Sequence, residues 1–369
     1  MVGRVYAAAI GRCSRDVRFG ACAHRHRPGV GLDATHPSYS RDLRPDVPLE
    51  SITLAYVRNL LDEKTGGGVS MVGSRAALYA AVLLASTLIA VLVPFATVDA
   101  ADPVFVGAGD IASCSRTQDE ATAKLLDAIT GVVFTAGDNA YEKGTATEYA
   151  TCYGPTWGRH KSRTRPVPGN HEYETPGASG YYGYFGSLAG DPAKGYYSFD
   201  IGAWHAVMLN SNCSSVGGCG ATSAQNRWLR SDLDAHPSAC TIAVWHHPRF
   251  TSTRSTPDGL TLPLWKTLYD HGAEIIINGH RHQYERFAAQ TPDGTASPDG
   301  IREFVVGTGG ISLVGFSGVM RNSQVRNSKT FGVLKLTLHS SSYDFSFIPI
   351  AGQTFRDSGS GDCHGKPST

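Results

Sequence analysis

The chain is predicted to fold as an α/β protein, and three observations carry that prediction. Short apolar runs alternate with stretches of helical period between residues 104 and 278. Beyond residue 300 the period shifts toward two, as in antiparallel strands. The residues with most chemical character, Asp, Asn, Tyr and His beside turn residues, fall just after the apolar runs. Side chains that must converge on one point are well placed on loops leaving the carboxyl ends of neighbouring strands.

The elements follow in order. A strand is expected at Val104–Ala108, a helix from Gln118 to Ile129 and a strand at Val132–Ala136. Residues 139–200 read as loop-rich, dense in Gly, Pro and Tyr. Within them, the six tyrosines of residues 171–198 (173, 181, 182, 184, 196 and 197) form either a substrate rim or a well-packed loop. Trp204–Leu209 reads as a strand, Ser223–Leu233 as a helix, Thr241–Trp245 as a strand, Pro263–Tyr269 as a helix and Glu274–Asn278 as a strand. Residues 290–300 are a Pro/Gly/Asp turn region. Arg302–Gly307, Phe331–Leu338 and Ser342–Ile350 alternate as antiparallel strands, and 351–369 reads as a polar tail pinned by Cys363.

The first hundred of the 369 residues differ from the rest. Residues 1–70 are rich in Arg, His and Pro without a sustained apolar period. They read as a disordered or misassigned extension, with Met71 or Val69 as the true start. Arg75 then precedes an apolar run from Ala76 to Val93, Pro94 ends it, and Val98-Asp99-Ala100 has the small-x-small pattern of a signal peptidase site. Residues 71–100 therefore read as a secretory signal peptide. The alternative is a signal anchor, since the run approaches membrane-spanning length. The expected location is extracellular, with membrane attachment only if 76–93 stays uncleaved. Residues 101–369 would form one large catalytic domain. They carry 22 Lys and Arg against 24 Asp and Glu, which gives no basic groove for nucleic acid.

Six of the eight cysteines lie after residue 100: Cys114, Cys152, Cys213, Cys219, Cys240 and Cys363. An even number behind a signal peptide favours disulfides, and no CxxC spacing suggests zinc. Only Cys213–Cys219 is suggested as a pair, because glycines between them let the chain turn back.

Five motifs recur in order: Gly109-Asp110, Gly137-Asp138-Asn139-Ala140-Tyr141, Gly169-Asn170-His171-Glu172, Trp245-His246-His247-Pro248 and Gly279-His280-Arg281-His282. Alone, each has a plain reading. Asp after Gly caps helices or turns, and a histidine at a strand end is often a satisfied core residue. His280 and His282 alternate, so on an extended segment they point the same way and suit two adjacent metals. Together the five offer hard oxygen and nitrogen donors, which suit Fe, Mn, Zn or Mg.

These motifs resemble those of the calcineurin-like metallophosphoesterase superfamily, over roughly 104–283, and most closely its purple acid phosphatase branch. Most of the superfamily carries Asp-x-His in the first motif. Here Ala112 occupies that place, and Tyr141 stands three residues after Asp138, as in the purple enzymes. The resemblance implies a four-layer αββα sandwich of two mixed sheets. It implies that Asp110, Asp138, Tyr141 and His282 hold one metal, an Fe(III), and that Asp138, Asn170, His246 and His280 hold a divalent Fe, Zn or Mn. His171 corresponds to the general acid near the leaving group. His247 is the candidate substrate contact, with a place in the core as its alternative. Glu172 is a candidate orienter of a ligand, and Arg249 and Lys143 are either phosphate contacts or solvated. The large plant enzymes' extra amino-terminal β-domain is expected to be missing here, since only a few residues separate the expected cleavage point from the first strand, and no clear set of extra substrate histidines is seen.

The implied function is that of a secreted phosphatase hydrolysing small phosphate monoesters by metal-activated water attack. A phosphodiesterase or nucleotidase with the same site is the alternative. A binding protein that keeps the fold without the reaction is the reading from another class.

Overall fold

The computed structural model describes residues 101–238, 240–254 and 256–365. The expected signal peptide or anchor and the extension before it lie outside the described residues. Among the described residues, no helix is long and apolar enough to cross a membrane.

Two mixed sheets form the centre. The first has the strand order β13-β12-β11-β1-β2-β3 and the second β10-β8-β9-β7-β6-β5-β4. In the first, β1 (Val104–Ala108), β2 (Val132–Ala136) and β3 (Thr164–Val167) run parallel. β11 (Gly332–Leu338), β12 (Ser342–Pro349) and β13 (Asp357–Asp362) are antiparallel. In the second, β5 (Trp204–Met208), β6 (Cys240–Val244), β7 (Ile275–Asn278) and β9 (Arg302–Val306) run parallel. β4 (Tyr197–Ile201), β8 (Tyr284–Phe287) and β10 (Ser323–Asn327) are antiparallel.

The period of two explains the layering. On β6, Ile242 and Val244 face the first sheet and share its core with Phe105, Phe134 and Leu334. Ala243 and Trp245 face the other way, onto Leu229, Leu233, Leu264, Trp265 and Leu268. Those residues belong to the helices Ala224–Ala235 (α3) and Leu262–Asp270 (α4). Ser223 caps α3 by accepting from Asn226 N, and Pro263 opens α4. The helix Gln118–Ala128 (α1) buries Ala123 and Leu126 against the first sheet. Helices outside and two sheets inside give the four-layer α/β sandwich expected from the motifs. Strands buried on both faces read as continuous apolar runs, and these parallel strands do.

Two expectations need correction, and one open alternative closes. The polar tail is partly a strand: β13 pairs with β12 from Ser342↔Asp362 to Phe347↔Asp357. Its sequence DSGSGD has no apolar signal because it is an exposed edge. The loop-rich segment contains β3, β4 and the helix Ser179–Phe185 (α2). β3 carries Pro166, which an edge strand tolerates. The tyrosines are mainly packing: Tyr181 is fully buried with Tyr149, Tyr153 and Phe185, and Tyr184 stacks on Tyr149 at 5.0 Å between centroids.

Three disulfides join Cys114–Cys152, Cys213–Cys219 and Cys240–Cys363. The last ties the C-terminal segment to the start of β6. Beside it, His364 Nε2 lies 3.0 Å from the buried Glu274 carboxylate. Burial opposes a charge on His364, but Glu274 outweighs it and pushes the imidazole from 6.5 up to about 9. A raised folded pKa gives stability that is full below the unfolded value and fades as pH rises through the folded one. We therefore expect H364Q to destabilise the protein at pH 6 and to match wild type at pH 10, as read by urea midpoints. An equal difference at both values would show that His364 contributes only packing.

Candidate metal centre

The five motifs lie on loops at the carboxyl ends of β1, β2, β3, β6 and β7, where the two sheets meet. Gly109 N donates to Val306 O of the other sheet (2.8 Å), and Gly309 N donates to Gly109 O (2.9 Å). Asp110 N and Ile111 N donate to Gly137 O and Asp138 O, and Gly279 N donates to His246 O. The loops are pressed so closely that a Cβ on Gly169 would stand 2.1 Å from Asp138 Oδ1. One on Gly279 would stand 2.5 Å from Ala136 O. That is why Asp110, Asp138, Asn170 and His280 each follow a glycine. Asp110, Asp138 and His280 adopt positive φ values of 60°, 50° and 66°. Such conformations cost energy in non-glycine residues and cluster at functional sites.

The side chains converge as two groups sharing one member. Tyr141 Oη lies 3.0 Å from Asp110 Oδ1, 3.0 Å from Asp138 Oδ2 and 3.3 Å from His282 Nε2. Asn170 Oδ1 lies 3.1 Å from His246 Nε2 and 2.9 Å from His280 Nδ1, and these two nitrogens are 3.2 Å apart. Asp138 Oδ2 also sits 3.1 Å from His246 Nε2, so it touches both groups. The expected extended His280-x-His282 segment is instead a bend. The left-handed His280 backbone still delivers both rings.

The donor set fits two cations. His246 Nδ1 faces Ala136 O at 2.8 Å and His282 Nδ1 faces Ser312 Oγ at 2.7 Å. Each ring therefore turns its other nitrogen into the pocket, the usual way a ligating histidine is fixed. Burial, then the charge of His246, holds His280 well below its ordinary range, so its ring is neutral. Burial alone would raise the Asp138 carboxyl, but the charge and hydrogen bond of His246 outweigh it and keep the group ionised. Burial and the carboxylates of Asp110 and Asp138 push the Tyr141 phenol far above its ordinary value. A cation at that point would supply the charge that a phenolate needs. A cation replacing the proton on His246 would meet the nitrogens of His246 and His280, 3.2 Å apart, with the Asn170 carbonyl oxygen against both.

Around this pair, His171 Nδ1 faces Glu142 O at 2.5 Å and its ring lies 4.4 Å from Tyr141. Its Nε2 points back to Asp138 Oδ2 at 3.9 Å, and the side chain is 25% exposed, open to the pocket mouth. His247 is mostly enclosed, hydrogen-bonded through Nδ1 to Ser211 Oγ (2.8 Å), with its ring 4.4 Å from His280. Burial, then the charge of His246, pushes His247 down to about 3, so it is neutral. Arg249 does not face the pocket. Its N donates to Glu303 and its guanidinium to the carbonyls of Pro292 and Asp258. Lys143 is exposed.

Glu172 has a larger part than its expected one. Its fully buried carboxylate accepts from Asp138 N (3.0 Å), Asn139 N (2.8 Å), Gly169 N (2.6 Å) and Tyr149 Oη (3.0 Å). It holds the β2 and β3 loops together. Ser312 and Ser211 carried no sequence signal, since both lie outside the motifs. A third His/Asp group, His205, Asp232 and His236, sits away from this centre. There His205 bridges Asp200 and Asp232 through both nitrogens, at 2.8 and 2.9 Å, which reads as an ion pair.

This fold and site define a metallophosphoesterase-type domain. Residues 104–284 match the family model of the calcineurin-like phosphoesterases, and the chain carries a domain of that family. Its curated relatives are purple acid phosphatases. It is 26% identical over 239 residues to purple acid phosphatase 15 of Arabidopsis thaliana, covering 55% of this chain and 44% of that protein. It is 31% identical over 174 residues to purple acid phosphatase 23 of the same plant, covering 42% and 37%. The structure of the purple acid phosphatase PPD1 from yellow lupin seeds superposes with a TM-score of 0.55 at 19% identity, covering 72% of this chain and 54% of that one. The chain thus spans about half the length or less of these relatives.

The role of Glu172 is open to test. E172Q places an amide among donors that need an acceptor, and unsatisfied buried donors cost about 1–3 kcal/mol each. We expect E172Q to lose at least about 2 kcal/mol of stability by denaturant titration and to bind less metal, whereas Y149F should lose about 1 kcal/mol. An E172Q protein as stable and metal-rich as wild type would contradict the role.

Proposed function

We propose that this chain is a dinuclear-metal phosphatase that hydrolyses small phosphate monoesters outside the cytoplasmic membrane. The observation that carries the proposal is Asp138 Oδ2 standing between two donor groups, within 3.0–3.1 Å of Tyr141 Oη and His246 Nε2. Asp110, Asp138, Tyr141 and His282 would hold one ion. Asp138, Asn170, His246 and His280 would hold the other. Two ions bound there would supply Lewis acidity and lower the pKa of a water in the site. A phenolate, two carboxylates and one imidazole suit a hard Fe(III), and an amide with two imidazoles suits a divalent Fe, Zn or Mn.

The chain's own residues supply positioning and proton transfer. Asp138 Oδ1 accepts from His171 N at 2.9 Å, so the bridging carboxylate also places the His171 backbone. The His171 Nδ1 proton is engaged by Glu142 O. In an acid role, Nε2 is then the atom that would pass a proton to a departing alkoxide. His247, fixed by Ser211, is our candidate for contact with a phosphate oxygen. Three disulfides suit an oxidising compartment and support the secretory reading.

The test is a series of phosphate monoesters of graded leaving group, with bis(4-nitrophenyl) phosphate as the diester. Wild type should turn over the monoesters faster than the diester. H171A should keep its metal and lose about 10²–10⁴-fold on alkyl esters, with a smaller loss on 4-nitrophenyl phosphate. Equal losses across the series would remove His171 from the acid role. Faster diester turnover would favour a phosphodiesterase.

A further inference from the structure

The fourth motif carries two adjacent histidines, and both stand within reach of the second metal position. One ring nitrogen from each of His246, His247 and His280 lies within 4.8 Å of the other two, close enough for His247 to be a further imidazole ligand. The other role open to His247 is a contact to substrate. Its Nδ1 is taken by Ser211, so Nε2 is the atom left for either role. The two roles need opposite states of that atom. A ligand offers a lone pair, whereas a contact to a phosphate oxygen donates a hydrogen.

Ser211 decides between them. Its Oγ accepts from His247 N at 3.0 Å and lies 2.8 Å from His247 Nδ1. Ser211 is 1% exposed, and among the described residues its hydroxyl meets only these two atoms. The hydroxyl hydrogen therefore has one acceptor, Nδ1. An imidazole that accepts at Nδ1 carries its proton on Nε2. The serine is held from both sides. Asn212 Nδ2 donates to Gly169 O at 3.1 Å, in the loop that carries Asn170. Gln225 accepts from Asn210 N at 2.7 Å and donates to Asn210 O at 2.9 Å, and the Cys213–Cys219 disulfide closes the chain just beyond.

We propose that Ser211 is a positioning residue that locks His247 in the Nε2–H tautomer, which keeps it off the second metal and makes it a hydrogen-bond donor to a phosphate oxygen of the substrate. This rests on the hydrolase reading above and deepens it. Catalytic metal sites keep a position open, and a further imidazole ligand would fill it. Without the hydroxyl, nothing holds Nδ1 as an acceptor, and the ring is free to present a bare Nε2 instead.

The test uses the full chain loaded with zinc, which is diamagnetic, as wild type, S211A and H247A. Nitrogen-15 NMR of the histidine side chains reads the tautomer, and the H247A spectrum identifies the His247 signals. Calorimetric titration with inorganic phosphate reads the donor, and competition with a chelator reads zinc affinity. Wild-type His247 should show a protonated Nε2 and a bare Nδ1. H247A should hold zinc as wild type does and bind phosphate about 10-fold more weakly, the effect of one lost hydrogen bond. S211A should lose the single tautomer and weaken phosphate binding to a similar degree. A wild-type His247 protonated on Nδ1, or an H247A protein with zinc affinity lowered about 10-fold or more, would overturn the proposal and make His247 a ligand. An S211A protein with the wild-type His247 spectrum would remove Ser211 from the role. None of these readings needs turnover, so a wild type inert toward phosphate esters would overturn the hydrolase reading while the spectrum still decides the tautomer.

Discussion

The buried carboxylate of Glu172 is the constraint on which the site depends. It takes the backbone N–H groups of Asp138, Asn139 and Gly169, which come from two different strand ends. Those N–H groups sit where the chain leaves the sheet, so no ladder partner exists for them. Left unsatisfied and buried, they would oppose the approach of the two loops. Satisfied by one carboxylate, they fix Asp138 at its positive φ and bring Asn170 beside His246. Burial itself, and then the Asp138 charge, raise the Glu172 carboxyl, while its donors hold it down. The negative charge of Glu172 and Asp138 together favours cations in the pocket.

The two-sheet architecture supplies the rest of the convergence. Donors from β1, β2 and β3 come from one sheet and those from β6 and β7 from the other. The hydrogen bond from Gly109 N to Val306 O joins the sheets at the level of the site. The small residues there are as necessary as the ligands. A side chain at Gly169 or Gly279 would occupy space already taken by Asp138 or by Ala136 O. The aromatic segment after β3 is core: it packs Tyr181 and Phe185 against Tyr149 and Tyr153, around the hydrogen bond that the Tyr149 hydroxyl donates to Glu172.

What was legible in the sequence, and what was not, follows from periodicity and range. Strands β1, β2, β5, β6 and β7 are buried on both faces and announce themselves as apolar runs. The edge strands β3 and β13 do not, because Pro166 and the polar DSGSGD need only one partner. All seven proposed donors could be named from motifs, since each lies in one of five short motifs, most of which follow apolar strands. Their orienting partners could not. Ser312, which fixes the His282 ring, and Ser211, which fixes His247, belong to loops brought in by the fold.

Two cations bridged by Asp138 are the centre of this account, and anomalous scattering from crystals of the metal-loaded protein tests them most directly. Data collected on both sides of the iron absorption edge should show two peaks about 3.5–4 Å apart flanking Asp138 Oδ2. The peak beside Tyr141 should appear only above that edge. A single peak, or two peaks away from Asp138, would contradict the account. A pair flanking Asp138 with no iron signal would contradict only the choice of metal.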